Sequence, residues 1–236
     1  MSSNAKKLLL SAALLALAPA AFAEDGFSGK ASLGYLATSG NSESSSVNAA
    51  TELVYGHDRW THTFDASALG ADNEGQSIAE AYTAGGKSEW AINDRSYLFG
   101  LARWNKDKFS GYDQQASQTV GYGRVLLDNE TSVWNVEIGA GARQSDLRDG
   151  TSENETVLRA ATDYKYVISE NSEFNAAFAV ESGEENTAAQ SLLSIKARLM
   201  GDLALVASYQ VRYNSEVPVG SEKTDRFTAI SLEYAF

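Results

Sequence analysis

Apolar and polar residues alternate with a period of two through most of the chain after Ala23. At the carboxyl end Thr228, Ile230, Leu232, Tyr234 and Phe236 share one parity, and Ala229, Ser231, Glu233 and Ala235 the other. Leu203, Leu205, Ala207, Tyr209, Val211 and Tyr213 alternate with Ala204, Val206, Ser208, Gln210, Arg212 and Asn214, and Phe174, Ala176, Phe178 and Val180 with Asn175, Ala177, Ala179 and Glu181. Successive side chains of a strand point to opposite faces, so this pattern predicts strands with one apolar face. Helical spacing is not visible after Ala23.

Two kinds of break interrupt the alternation. Short ones fall at 57–59, 92–94, 128–130, 169–172 and 201–202, and longer polar ones at 39–44, 72–77, 107–111, 145–154, 183–187 and 215–222. Five short and six longer breaks cut the chain into twelve segments. Bacterial outer-membrane barrels have even strand numbers, short turns on the periplasmic side and longer loops outside. The first break after the amino terminus is a long one, which is the phase that asymmetry requires. Trp60, Trp90 and Trp134 lie close to short breaks and Trp104 close to a long one, as expected of aromatic girdles at two lipid–water interfaces. A soluble sandwich or lipocalin-like barrel would also alternate. It would use shorter strands, and it would less often stop on an aromatic such as Phe236. The expectation is therefore all-β: a closed antiparallel transmembrane barrel of about twelve strands.

The amino terminus reads differently. Lys6 and Lys7 precede an apolar run from Leu8 to Leu17, and small residues end in Ala21-Phe22-Ala23. That is the pattern of a secretory signal peptide; the run is about half of the roughly 20 residues a spanning helix needs. Residues 1–23 are expected to be removed, leaving 24–236 as a single barrel domain exported through the periplasm. The chain carries 31 acids against 19 bases and no cysteine. An acidic chain is a poor partner for nucleic acid, and thiolate metal sites and disulfides are excluded.

Candidate chemistry is sparse. The two histidines are His57, in a short break, and His62, which shares parity with Trp60 and Phe64. An outward histidine beside Ser46, Ser88 or Ser96 could in principle act on lipid, though an interfacial histidine is the simpler reading. Asp146, Asp149, Glu153 and Glu155 read as a solvated acidic loop without a calcium-loop pattern. Gly121-Tyr122-Gly123 and Gly139-Ala140-Gly141 lack a following helix to bind phosphate and read as relief of crowding in a barrel wall. No catalytic residue, metal site or cofactor is expected.

Taking the apolar parity as lipid-facing places a set of charges in the lumen. It comprises Lys30, Glu52, Asp65, Lys87, Glu89, Glu137, Arg143, Arg159, Asp163, Lys165, Glu181, Lys196, Arg198, Arg212 and Glu233. A Lys or Arg on the lipid face would cost on the order of 2–4 kcal/mol at the midplane. The bases on strands eight, ten and eleven against Glu52, Asp65 and Glu89 on strands two to four suggest a basic wall facing an acidic one. Parity separates poorly in strands five and six, around Leu98, Leu101, Val120 and Arg124.

Gly34-Tyr35 followed by Ser39-Gly40-Asn41-Ser42-Glu43, and Lys223-Thr224-Asp225-Arg226-Phe227-Thr228 leading into Ser231-Leu232-Glu233-Tyr234-Ala235-Phe236, resemble the first hairpin and last strand of the salt-induced outer-membrane protein family of Gram-negative bacteria. Ile230, Leu232, Tyr234 and Phe236 also resemble the terminal signal read on insertion of such proteins, an edge strand recognised by strand addition. The resemblance implies an outer-membrane barrel whose partners are outer-membrane lipid and, during biogenesis, the secretion and barrel assembly machineries. It implies no catalytic residue and leaves the oligomeric state open. Three functional readings follow: a narrow channel for ions or small polar solutes, a non-conducting envelope barrel plugged by lumenal salt bridges, and, distantly, an outer-membrane lipid hydrolase.

Overall fold

The computed structural model describes residues 26–38, 44–74, 76–108, 112–148, 150–217 and 222–236; the expected signal peptide lies outside them. Twelve strands follow in order: β1 (Phe27–Thr38), β2 (Ser44–His57), β3 (Trp60–Asn73), β4 (Gln76–Asn93), β5 (Ser96–Asp107), β6 (Tyr112–Asp128), β7 (Ser132–Leu147), β8 (Ser152–Ser169), β9 (Ser172–Ser182), β10 (Thr187–Met200), β11 (Leu203–Asn214) and β12 (Thr224–Ala235). Each is antiparallel to its sequence neighbours, and β12 closes onto β1, giving a closed barrel.

Every expected short turn is present. Two of the expected longer breaks are mostly strand. The polar run 72–77 is a tight reversal at Glu74, whose φ is +50°, and the break at 145–154 narrows to residues between Leu147 and Ser152. The physical reason is height. Strands that rise past the lipid become polar on their outer face without ceasing to pair, so polarity marks the edge of the hydrocarbon rather than the end of the strand.

Cross-strand register fixes which residues share a face. The outward face carries Phe64, Leu98, Val120, Ile138, Leu158, Phe178, Ile195, Leu205, Ile230 and Leu232. Val120, Ile138 and Leu158 are 70%, 67% and 68% exposed, which water would penalise and lipid tails would not. Outward charges such as Glu80, Lys106, Arg124, Asp146 and Arg226 lie near strand ends, where they reach an interface. No helix among the described residues is long and apolar enough to cross a membrane. In a barrel the backbone groups of the strands pair within the protein, which lipid surroundings demand. Trp60 and Trp90 lie opposite each other in the β3–β4 register. The Trp134 indole N–H donates to Thr162 Oγ1 at 2.7 Å, and that of Trp104, at the other end of the barrel, to Gln114 Oε1 at 3.3 Å.

Closure is uneven. The β1–β2 register runs the full length of β1, from Phe27↔Tyr55 to Thr38↔Ser44. That of β1 with β12 covers only Lys30↔Ala235 to Leu33↔Leu232, extended by reciprocal backbone hydrogen bonds between Gly29 and Phe236 of 2.8 and 2.9 Å. Beyond Leu33 a side-chain bond joins β12 to β2 across β1, Asn48 Nδ2 donating to Ser231 Oγ at 2.8 Å over Gly34. A Cβ on Gly34 would stand 2.2 Å from Asn48 Oδ1.

Candidate functional site

The bond over Gly34 is one of three alike. At Gly85 and Gly123, two further lumen-facing glycines on a middle strand, polar side chains of the two flanking strands also meet above the glycine. Asp65 on β3, Gly85 on β4 and Arg103 on β5 form one row, and Arg103 Nη2 donates to Asp65 Oδ1 at 3.1 Å. Tyr97 on β5, Gly123 on β6 and Glu137 on β7 form another; Tyr97 Oη donates to Glu137 Oε1 at 2.8 Å. A Cβ at Gly123 would fall 2.2 Å from the Tyr97 ring. The glycine pairs of β6 and β7 thus make room for side chains lying across the wall.

The lumen these rows line has three levels. Nearest the short turns, Lys30 pairs with Glu52 (2.9 Å), Lys165 with Glu173 (3.0 Å) and Lys196 with Glu233 (2.8 Å) and Glu173 (3.9 Å). Above them Lys87 holds Glu89 at 2.8 Å and reaches Glu137, two strands beyond its neighbour β5. The Lys87 ammonium also lies 5.5 and 5.4 Å from the Tyr97 and Phe99 ring centroids, a favourable position over the electron-rich ring faces. Toward the far end Arg159 pairs with Glu181 at 3.2 Å. Arg143 is buried and donates to Glu155 Oε1 through Nε (2.9 Å) and Nη2 (2.6 Å), and also to the Asn186 carbonyl. Glu155 in turn accepts the backbone N–H groups of Glu185 (3.1 Å) and Asn186 (3.3 Å), so this pair fastens the β9–β10 loop to the wall.

A contact between Arg212 and Asp107 crosses the whole barrel. Arg212 on β11 and Asp107 on β5, six strands apart in the ring of twelve, come within 4.0 Å, with the guanidinium 5.2 Å from the Phe227 ring centroid. A cavity of about 460 Å³ surrounds this contact. Its lining includes six carboxylates (Glu52, Asp65, Asp107, Asp163, Glu181, Asp225) and four guanidinium groups (Arg103, Arg143, Arg159, Arg212), an excess of two acids. Asp163 makes no ion pair within 4 Å among the described residues. Nε of Arg103 and of Arg159 are buried and have no protein acceptor; buried guanidinium donors of this kind are ordinarily satisfied by water.

All fifteen charges assigned to the lumen by parity lie on the inward side of the register, Arg198 at its edge beside a register irregularity before Met200. The expected basic and acidic walls are absent. Glu173, Glu181 and Glu233 stand on the same wall as Arg159, Lys165 and Lys196 and neutralise them locally. Parity missed Tyr97, Phe99, Arg103 and Asp107 on β5, because Phe99 and Leu101 face inward and blur the alternation. The glycines opposite Tyr97 and Phe99 on β6, and Gly85 opposite Arg103 on β4, were the available signal. Asp225 and Glu155 escaped because each sits at the polar end of a strand. Phe236 lies over Gly29, whose Cβ would meet its ring at 2.6 Å, while Ile230, Leu232 and Tyr234 face outward and exposed.

His62 Nδ1 lies 2.9 Å from Ser88 Oγ, on the outward face, stacked between Tyr55 and Trp60 at 6.3 and 5.7 Å. No carboxylate or amide orients the other ring nitrogen among the described residues, so the third member of a hydrolytic triad is missing. The acidic set around 146–155 is not one loop: Asp146, Glu153 and Glu155 are on strands, with Asp146 outward and Glu155 inward, and Asp149 lies outside the described residues. No group of three metal-ligating side chains occurs among the described residues.

Comparison with known proteins places this geometry. Residues 31–236 match the family described as protein of unknown function DUF481. The chain is 35% identical over 218 residues to the uncharacterized protein YdiY of Escherichia coli (strain K12), covering 91% of this chain and 85% of that one. Among solved structures it is similar in fold to the COG4313 outer membrane channel from Pseudomonas putida F1 (TM-score 0.53, 11% identity, 89% of this chain and 95% of that one). It is similar also to the NanC porin (TM-score 0.51, 10% identity, 87% and 97%).

Proposed function

The chain belongs to the DUF481 family, whose function is unknown, so its role has to be read from the barrel, and we propose that it is a narrow outer-membrane channel for ions or small polar solutes, with a preference for cations. The observation that carries this reading is the cavity around Arg212 and Asp107, walled by charged groups with two more acids than guanidinium groups. Charged rings of one predominant sign select the opposite ion. The buried Arg103 and Arg159 Nε donors without a protein acceptor are in keeping with a wet lumen, and a channel and a porin are among the barrels of similar fold. Residues 1–23 would direct export and the strand ending in Phe236 insertion by the assembly machinery. The resemblance to salt-induced proteins bears on when the protein is made rather than on how it works.

Refolded protein in a planar bilayer under a salt gradient tests the proposal. Steady steps whose reversal potential favours cations are expected, and a reversal potential favouring anions would overturn the selectivity. The contact between Arg212 and Asp107 across the lumen favours a second reading, a plugged structural barrel; silence from protein whose heat-shifted gel mobility shows a folded barrel would select it. The His62–Ser88 bond keeps lipid hydrolysis as a third, which full phospholipid turnover by His62→Ala would end.

A further inference from the structure

β6, β7 and β8, with 17, 16 and 18 residues, rise further from the short turns than most of the barrel, and their outward face changes character as they do. Val120, Ile138 and Leu158 give way to Gln118 and Thr156, then to a row running Trp104↔Ala116↔Gln144↔Asn154 across β5 to β8, then to Gln114, Asp146 and Ser152 above it. The outside of a barrel is convex, yet here a groove of about 370 Å³ opens, because Ala116 leaves a gap between the Trp104 indole and the Gln144 amide. Asp146 forms its upper edge with both oxygens occupied, one by Gln114 Nε2 and one by Ser152 Oγ, each at 2.7 Å. The amides of Gln144 and Asn154 face each other across the β7–β8 ladder with no protein partner among the described residues. Lys106, on the neighbouring row of β5, is held by Asp113 at 3.4 Å, and Arg148 donates to the Asp107 carbonyl at 3.2 Å.

We propose that this groove binds a sugar, and that its source is the saccharide headgroup of a glycolipid in the surrounding outer leaflet. The chemistry is that of carbohydrate recognition: an aromatic ring to cover a pyranose C–H face, planar amides with donors and acceptors for vicinal hydroxyls, and a carboxylate already committed to neighbours. No base is among the described residues that line it, so nothing there selects a phosphate. Three strand spacings of about 4.8 Å make the row long enough for one or two sugar rings. Its position, sideways-facing and directly above the apolar band, puts it at headgroup height rather than in the path of solutes entering the lumen. The inference rests on the outer-membrane orientation proposed above, not on conduction.

The test compares wild type with Gln144→Ala/Asn154→Ala and Trp104→Leu, each shown to be folded by heat-shifted mobility, in nanodiscs of phospholipid alone or phospholipid with rough lipopolysaccharide. Bound lipopolysaccharide is counted by native mass spectrometry. Loss of the two amides is expected to weaken retention about tenfold, and loss of the indole comparably. Equal retention by all three proteins would overturn the site. Free core oligosaccharide forms the second arm: binding as tight as that of the embedded glycolipid would overturn the lipid source while leaving a sugar site. Orientation is read separately, by labelling Gln144→Cys on intact cells with a membrane-impermeant maleimide in a chain without native cysteine. Labelling together with equal retention removes the groove proposal alone; absence of labelling removes the orientation on which it stands.

Discussion

At the scale of single residues, the lumen is organised by what is missing as much as by what is present. Glycine at 34, 85 and 123 lets groups from non-adjacent strands reach each other, and a side chain at any of them must displace the pair above it. Gly123→Val is expected to push Tyr97 off Glu137 and destabilise the barrel by about 1–3 kcal/mol, as overpacking does; Gly100→Val, where a Cβ meets nothing within 4 Å, is the control and should shift urea unfolding little. Arg143 and Glu155 give a sharper case, their side chains being only 2% and 5% exposed. Glu155→Leu leaves a buried guanidinium unpaired and should cost about 3–5 kcal/mol, whereas Arg143→Met with Glu155→Leu should recover much of it. Equal losses in the single and double variants would show that the anchored β9–β10 loop, and not the ion pair, carries the stability.

At the scale of elements, the alternation of large aliphatic with small or charged residues located twelve strands and their phase, because an apolar outer face and a charged lumen impose opposite demands on successive residues. It was least legible in β5, where Phe99 and Leu101 occupy the lumen, and at strand tips above the lipid, where both faces are polar and the pattern of 145–154 reads as loop. The ion pairs were not legible either: pairing depends on register between strands, and a partner three strands away, such as Glu137 for Lys87, depends also on the glycines between. The lipid-facing assignment can be checked by substitution. Val120→Arg, placed within the apolar band, should destabilise folding into phospholipid vesicles by about 2–4 kcal/mol, while arginine at Gln144, above the band, should change it by far less. A similar penalty at both positions would mean that the band reaches the strand tips.

At the scale of the whole molecule, local neutralisation of most lumenal charges would leave the selectivity of the proposed channel to the groups without a near partner. Asp163→Asn with Asp225→Asn removes the excess of two acids in the cavity and should shift the reversal potential toward zero; Arg212→Gln should raise conductance by releasing the contact with Asp107. A reversal potential unmoved by the Asp pair would place the filter elsewhere, at the Lys87–Glu137 level. The short β1–β12 register has a different consequence, for the order in which the barrel comes apart. Eleven of the twelve seams are zipped over long ladders, so the ring has one weak link, and it joins the two ends of the chain. Opening there breaks few backbone bonds and disturbs no hairpin, and amide exchange follows such partial openings. Exchange at Tyr35, Leu36, Ala229 and Ile230 should therefore outpace that of residues at the same height in β6 and β7, and a disulfide clasping Tyr35→Cys to Ile230→Cys should slow it. The last joint made in assembly would then be the first to breathe in the finished barrel.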